Sequence, residues 1–147
     1  MSHAWDARFA DFAARIIPGC GRGFGACRAL GFINDDSQTV DAAIVYHNWQ
    51  PEAGVIEISA ASTRRDWLTR ARLLRIFGYP FDELNCRIVV ARIGEHNART
   101  RRIWRSLGAV EYLIPALRSP QEAEVISVLT REAWAESKFK RGKNGKA

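Results

Sequence analysis

Three short stretches carry side chains able to do acid–base or anion-binding chemistry. In Gly54–Ser62, Glu57 stands between Ile56 and Ile58; a carboxylate there can face a cleft and accept a proton, or look out to solvent. In Glu95-His96-Asn97 an acid, an imidazole that titrates near neutral pH and an amide close the apolar run Arg87–Ile93. Loops at such strand ends gather round ligands in open α/β sheets, so His96 could relay a proton and Asn97 hold a ligand or water. Backbone hydrogen bonding by His96 and simple helix capping by Asn97 are the structural alternatives. Arg64–Arg75 is rich in arginine, the side chain best shaped for phosphate oxygens, though it would serve equally as a solvated helix face. Tyr46, His47 and Trp49 end a further apolar run and would line an acceptor cleft or pack in the core.

The elements that must position these groups follow from periodicity. Apolar residues at Trp5, Phe9, Phe12, Ala13 and Ile16 predict a helix over Trp5–Ile17, stopped by Pro18-Gly19. The run Gly19–Gly25 follows a helix, where a phosphate loop should follow a strand, so it reads as a connector on the substrate side. Ala26–Asn34 and Thr39–Trp49 flank the polar turn Asp35–Gln38, and Pro51–Gly54 leads to a third strand, Gly54–Ser62. Asp66–Phe77 has helical spacing, ended by Gly78-Tyr79-Pro80. Arg87–Ile93 is a strand buried on both faces, and Asn97 caps a helix through Ile103, Trp104 and Leu107 that Gly108 stops. Val110–Pro115 and Ala123–Thr130, around Ser119–Glu122, are two further strands. A meander followed by a βαβ crossover predicts an α/β fold: a mixed sheet with helices on both faces and a parallel, right-handed crossover from Gly54–Ser62 to Arg87–Ile93.

At 147 residues, 47% hydrophobic and 26% charged, the chain suits one core, expected over residues 1–136. No apolar run approaches a membrane span, and the N-terminus does not read as a signal peptide, so a cytoplasmic protein is expected. The net charge of +6 concentrates in Arg64–Arg75 and in the tail, residues 137–147, which lacks periodicity and is expected to be disordered. Such a balance favours anionic partners. Nucleic acid is the least favoured of these, because no recognised nucleic-acid motif is present. Cys20, Cys27 and Cys86 form no C-x-x-C pair, and His3, His47 and His96 lack metal-ligand spacing; buried reduced thiols and no metal are expected.

The residues Asn97, Thr100, Ile103, Trp104, Leu107, Gly108 and Ala109 resemble a motif of the GCN5-related N-acetyltransferases, in which an Asn after the fifth strand leads through a small residue and an aromatic to Leu-Gly-Phe. Trp104 replaces the usual Tyr and Ala109 the usual Phe. The segments WLTRARLLRIFGYPFDEL, HNARTRRIWRSLGA and SVLTREAW are similar to the branch that acetylates ribosomal proteins and N-terminal alanine, so the resemblance runs from about Trp5 to Trp134.

The resemblance implies acetyl-CoA as cosubstrate, with no metal. Its pantetheine arm would bond the backbone of Ile58, Ser59, Ala60 and Ala61. The family's pyrophosphate loop would fall on Arg64, Arg65, Trp67, Leu68, Thr69 and Arg70, although Trp67 and Thr69 stand where glycines are usual. Asn97, Thr100 and Trp104 would also meet the cofactor, with Trp104 as ordinary core packing the alternative. Glu57 would be the base, with Asn97 and His96 as further catalytic candidates. The implied reaction is direct acetyl transfer to an amine, on a peptide N-terminus or a small molecule, by a monomer or homodimer. The missing Tyr and glycines leave a second reading, a noncatalytic member of the fold that binds coenzyme A or a macromolecular partner.

Overall fold

The computed structural model describes residues 2–5, 7–17 and 20–142. The expected helix stop at Pro18-Gly19 and the last five residues of the tail lie outside the described residues. Two compact units divide the chain, one of residues 1–49 and 56–76, the other of 50–55 and 77–147.

In the first unit the order is β1 (Ser2–Trp5), α1 (Ala7–Ile16), β2 (Cys27–Ile33), β3 (Val40–Gln50), β4 (Val55–Ser62) and α2 (Arg70–Gly78), the last belonging to it as far as Ile76. The four strands lie in the order β1-β2-β3-β4, with β1–β2 and β2–β3 antiparallel. Strand side chains alternate between faces. Ala29, Ala43, Val45 and Ala61 therefore share one face, where Phe9 and Ala13 of α1 cover them. Leu30, Phe32, Ile44, Tyr46, Ile56 and Ile58 fill the other, and the Tyr46 hydroxyl donates to the Ile76 carbonyl of α2. Small residues on the first face let α1 approach closely. At Gly31 a Cβ would lie 2.3 Å from the Phe9 ring, so only glycine fits.

Strand β1 is the first departure from expectation. Trp5 ends β1, paired with Leu30, and does not begin the helix. Its ring sits 5.9 Å from that of Tyr46, with the Arg28 guanidinium 4.1 Å from its centroid. A four-residue edge strand is too short to alternate visibly. Between β2 and β3 the expected turn forms, with the Asn34 side chain accepting from the Asp36 and Ser37 amides.

In the second unit β5 (Ile88–Gly94), β7 (Glu122–Thr130) and β6 (Val110–Ser119) lie in that order, both pairings antiparallel. α3 (Ala98–Ser106) joins β5 to β6, and α4 (Arg131–Glu136) and α5 (Lys138–Arg141) follow β7. Phe77, Phe81, Trp104 and Trp134 form its aromatic core: Phe77 stacks on Phe81 at 6.3 Å, meets the edge of Trp104 at 5.6 Å and lies 5.0 Å from Trp134. Arg131 fastens this core to the chain before β5 through the carbonyls of Phe81 and Cys86 and the Asn85 side chain.

Three further boundaries differ from the sequence reading. α2 begins at Arg70, not Asp66, because Thr69 Oγ1 accepts the Arg72 amide at 3.2 Å and so caps the helix there. Nor does Gly78-Tyr79-Pro80 end the coil: a π-helical turn, Tyr79–Glu83, continues it, closed by the Leu84 amide on the Tyr79 carbonyl. Pro80 is tolerated at the start of that turn, and burial of Tyr79, Pro80 and Phe81 holds it. β6 runs on past Pro115 to Ser119, which an edge strand permits because proline's missing N–H can face away from the ladder.

The cysteines also differ. Only Cys86 is buried; Cys20 is half-buried, and Cys27 is exposed because it opens β2 before the strand enters the core. No helix among the described residues is long and apolar enough to cross a membrane.

Candidate active site

β3 and β4 bring Glu57, Ser59 and His47 together on the face that α1 covers farther along the strands. The buried apolar run of β3 ends at His47, only 8% exposed, and Asn48 follows in a left-handed conformation at φ 51°. Asparagine tolerates that conformation better than most residues. Asn48 Nδ2 then donates to Glu57 Oε1 at 2.8 Å and lies 3.3 Å from His47 Nδ1. On the other side of the ring, Nε2 is 2.9 Å from Ser59 Oγ and 3.6 Å from Glu57 Oε2.

The donors around His47 assign its tautomer. The Asn48 amide has hydrogens to give and no lone pair on nitrogen to offer, so Nδ1 accepts and Nε2 carries the proton toward Ser59 and Glu57. Burial pushes the His47 pKa below its ordinary 6.5, and the Glu57 charge pulls the other way. The imidazole is therefore neutral at pH 7. Phe24, from the glycine-rich connector, lies 5.0 Å from it and helps exclude water.

Glu57 thus receives one direct donor and faces a second, which fix the plane of its carboxylate. Its side chain is 14% exposed, accessible to a small donor yet oriented. Serine and acid approach the same ring nitrogen, so a Ser-His-acid nucleophile triad, in which the acid bonds Nδ1, is not formed. The arrangement suits proton acceptance by Glu57, with His47 and Asn48 as positioning residues. Cys27 stands opposite His47 in the β2–β3 register, but desolvation, and then the Asp11 charge, hold its thiol above the usual value and hence protonated.

The arginine-rich stretch after β4 divides into two groups. Arg72, 7% exposed, gives two hydrogen bonds of 3.2 Å to Asp41 Oδ2 and one of 2.8 Å to the Trp67 carbonyl, and its guanidinium lies 5.0 Å from the Phe32 ring centroid. Arg64 turns to Asp66 at 3.1 Å and Asp41 at 3.8 Å. Both line a cavity of about 440 Å³ with Asp35, Asp36, Asp41 and Asp66, a ring in which carboxylates outnumber guanidiniums. Such a ring repels a phosphate. Arg65, in the turn before α2, and Arg70, at its first position, are exposed; guanidiniums suit an anion, and at Arg70 the helix N-terminus does too. Trp67 and Leu68 are half-buried, and Thr69 is occupied as the cap.

In the second unit, Asn97 is an exposed helix cap whose Oδ1 accepts the Thr100 amide at 3.3 Å. The His96 side chain is 78% exposed, with Nε2 3.8 Å from Glu95. Trp104 is 8% exposed against Phe77, a core position. Arg101 bonds Glu111 at 2.9 and 3.0 Å and holds that carboxyl below its ordinary range, with Arg105 adding a bond of 3.2 Å. No cluster of three or more His, Cys, Asp or Glu among the described residues could hold a metal.

Solved acetyltransferase structures are similar to this chain in fold. A single-residue variant of spermidine N-acetyltransferase from Vibrio cholerae superposes with a TM-score of 0.65 at 11% identity, covering 75% of this chain and 69% of its own. The fold is that of the GCN5-related N-acetyltransferases. The ribosomal-protein-S5-alanine acetyltransferase of Vibrio fischeri has it too, with a TM-score of 0.63 at 10% identity over 74% of this chain and 63% of its own. This chain thus spans about two thirds of their length. No protein-family model and no curated protein sequence matches it.

Within the acetyltransferase fold, the strand that sequence resemblance assigns to the base, β4, carries Glu57, and Ile58–Ala61 continue it. Asn48 was missing from the sequence reading, and His47 entered it only as a cleft or core residue. The available signal was local: an Asn directly after a buried apolar run is a candidate for a left-handed residue whose amide turns back on the strand.

Proposed function

We propose that this chain is an acetyl-CoA-dependent N-acetyltransferase acting by direct transfer. The observation that carries the reading is Glu57, oriented on β4 by Asn48 and faced by a neutral, protein-shielded His47. Glu57 takes a proton from the bound ammonium, and the freed nitrogen lone pair attacks the thioester carbonyl carbon, after which the C–S bond breaks. The second proton, shed by the nitrogen as the amide forms, reaches the departing thiolate through water, since Trp104 is packed edge-on to Phe77 and indole is no acid for this task.

Exposed Arg65, in the turn before α2, and Arg70, its first residue, suit the pyrophosphate of coenzyme A, and the β4 backbone at Ile58–Ala61 suits the pantetheine arm. With no glycine cradle, phosphate binding falls mainly to guanidinium side chains, which makes it salt-sensitive. The acceptor is a cationic amine, a peptide N-terminus or a small molecule, attracted by the Glu57 charge.

The test is thiol release from acetyl-CoA across a panel of peptide and small-molecule amines, with Glu57→Gln as comparison. The reading expects turnover with at least one amine and a loss of about 10²–10⁴-fold in kcat/KM for the variant. Release that Glu57→Gln leaves unchanged would remove Glu57 from the chemistry. Binding without turnover of any amine would favour a noncatalytic role.

A further inference from the structure

The cavity before α2 is acidic although the chain as a whole carries +6. It lies within the first unit, between the β2–β3 turn and the turn that leads into α2. Asp35 and Asp36 come from the first turn, Asp66 from the second and Asp41 from β3; set against Arg64 and Arg72, they leave a formal surplus of two negative charges. Asp41 is 4% exposed and only half satisfied. Its Oδ2 takes both bonds from Arg72, whereas no donor among the described residues reaches Oδ1, and Arg64 Nη1 stands 3.8 Å from it. A buried carboxylate oxygen without a hydrogen bond is costly, so Oδ1 is an acceptor that a ligand N–H would satisfy. Trp67 and Ile33 add an apolar wall, and an indole face suits an ammonium as well as the methylenes that carry it.

We propose that this cavity binds an aliphatic diamine. One ammonium donates to Asp41 Oδ1 in place of the Arg64 head, Asp36 and Asp66 hold the other, and the methylenes lie along Trp67 and Ile33. Arg64 can make way, since its side chain is 47% exposed and its hydrogen-bonded partner Asp66 is 74% exposed. Arg72 stays as the buried counter-charge of Oδ2. A metal ion fits less well, because no group of three or more His, Cys, Asp or Glu among the described residues could hold one. The site is distinct from the cleft at Glu57. Thr63, just past the end of β4, donates its amide to the Asp41 carbonyl, and Glu57 lies about 20 Å back along the strand. An amine held at Asp41 is therefore out of reach of Glu57, and the inference stands whether or not Glu57 is a base.

Calorimetric titration of 1,4-diaminobutane into the full chain, in low salt and without acetyl-CoA, tests this, with butylamine and 1,4-butanediol as probes of charge. The diamine is expected to bind at one site about tenfold or more tighter than butylamine, and the diol not to bind. Asp36→Asn combined with Asp66→Asn, both at exposed positions, should weaken the diamine about tenfold, and Glu57→Gln should leave it unchanged. Arg64→Ala removes the competing cation and should tighten it, which keeps the test open if the double variant fails to melt cooperatively. No diamine binding up to about 10 mM, equal affinity for butylamine, weaker binding in Arg64→Ala, or binding lost in Glu57→Gln but kept in the double variant overturns the inference.

Discussion

Replacing Asp41 by Ala tests how the first turn of α2 is held. Asp41 and Arg72 have side chains 5% and 8% exposed, and two hydrogen bonds of 3.2 Å join them. Removing the carboxylate leaves a buried guanidinium without its counter-charge, which costs about 3–5 kcal/mol where nothing compensates. Here Arg72 keeps the Trp67 carbonyl at 2.8 Å and the face of Phe32, so the expected loss lies near the lower end, about 3 kcal/mol. For a domain of this size that lowers Tm by about 6–12 °C. Urea titration with linear extrapolation, beside a thermal melt, measures it. Asp41→Leu combined with Arg72→Met removes both charges together and should cost less than the two single changes summed. A loss under about 1 kcal/mol for Asp41→Ala would mean that the pair behaves as a solvated surface ion pair, and would refute the claim that it anchors α2.

Other consequences are quicker to check. His47 has its folded pKa below 6.5, so the unfolded chain binds more protons between that pKa and 6.5; stability should rise with pH across this window and level off above it. His47→Asn should flatten the curve, as followed by melts from pH 4.5 to 8. Gly31→Ala forces a methyl into the Phe9 ring and should cost about 1–3 kcal/mol by overpacking, read by urea denaturation. Asn97→Ala removes the cap on α3 and should cost about 1 kcal/mol; calorimetry with acetyl-CoA then separates capping, which leaves Kd unchanged, from a ligand contact, which weakens it.

The sequence made the α/β class legible through periodicity, because the strands and helices of both units carry apolar spacing that packing then uses. α3 is the clearest case: Asn97 caps it, and Gly108, at φ 104°, ends it as expected. Elements held by tertiary contact left weaker traces. β1 is visible only through its pairing with β2, and the π-helical turn at Tyr79–Glu83 exists because its residues are buried, against the local signal of Gly78 and Pro80. The candidate site was half legible. Glu57 stood out as an acid between isoleucines, whereas the group that orients it depends on a left-handed Asn48 and a cross-strand register, which no spacing rule encodes. For Arg64 the ion pairs were the illegible part: arginine density suggested a phosphate ligand, whereas its placement 3.1 Å from Asp66 and 3.8 Å from Asp41 follows from tertiary packing that no spacing rule encodes.

The central claim, a protein that binds and uses acetyl-CoA, is met most directly by calorimetric titration of acetyl-CoA into the full chain, with desulfo-coenzyme A and ATP as controls. The account predicts saturable one-site binding of acetyl-CoA, preferred over ATP and weakened by Arg70→Ala and by added salt. Absence of binding, or equal affinity for ATP, would contradict it.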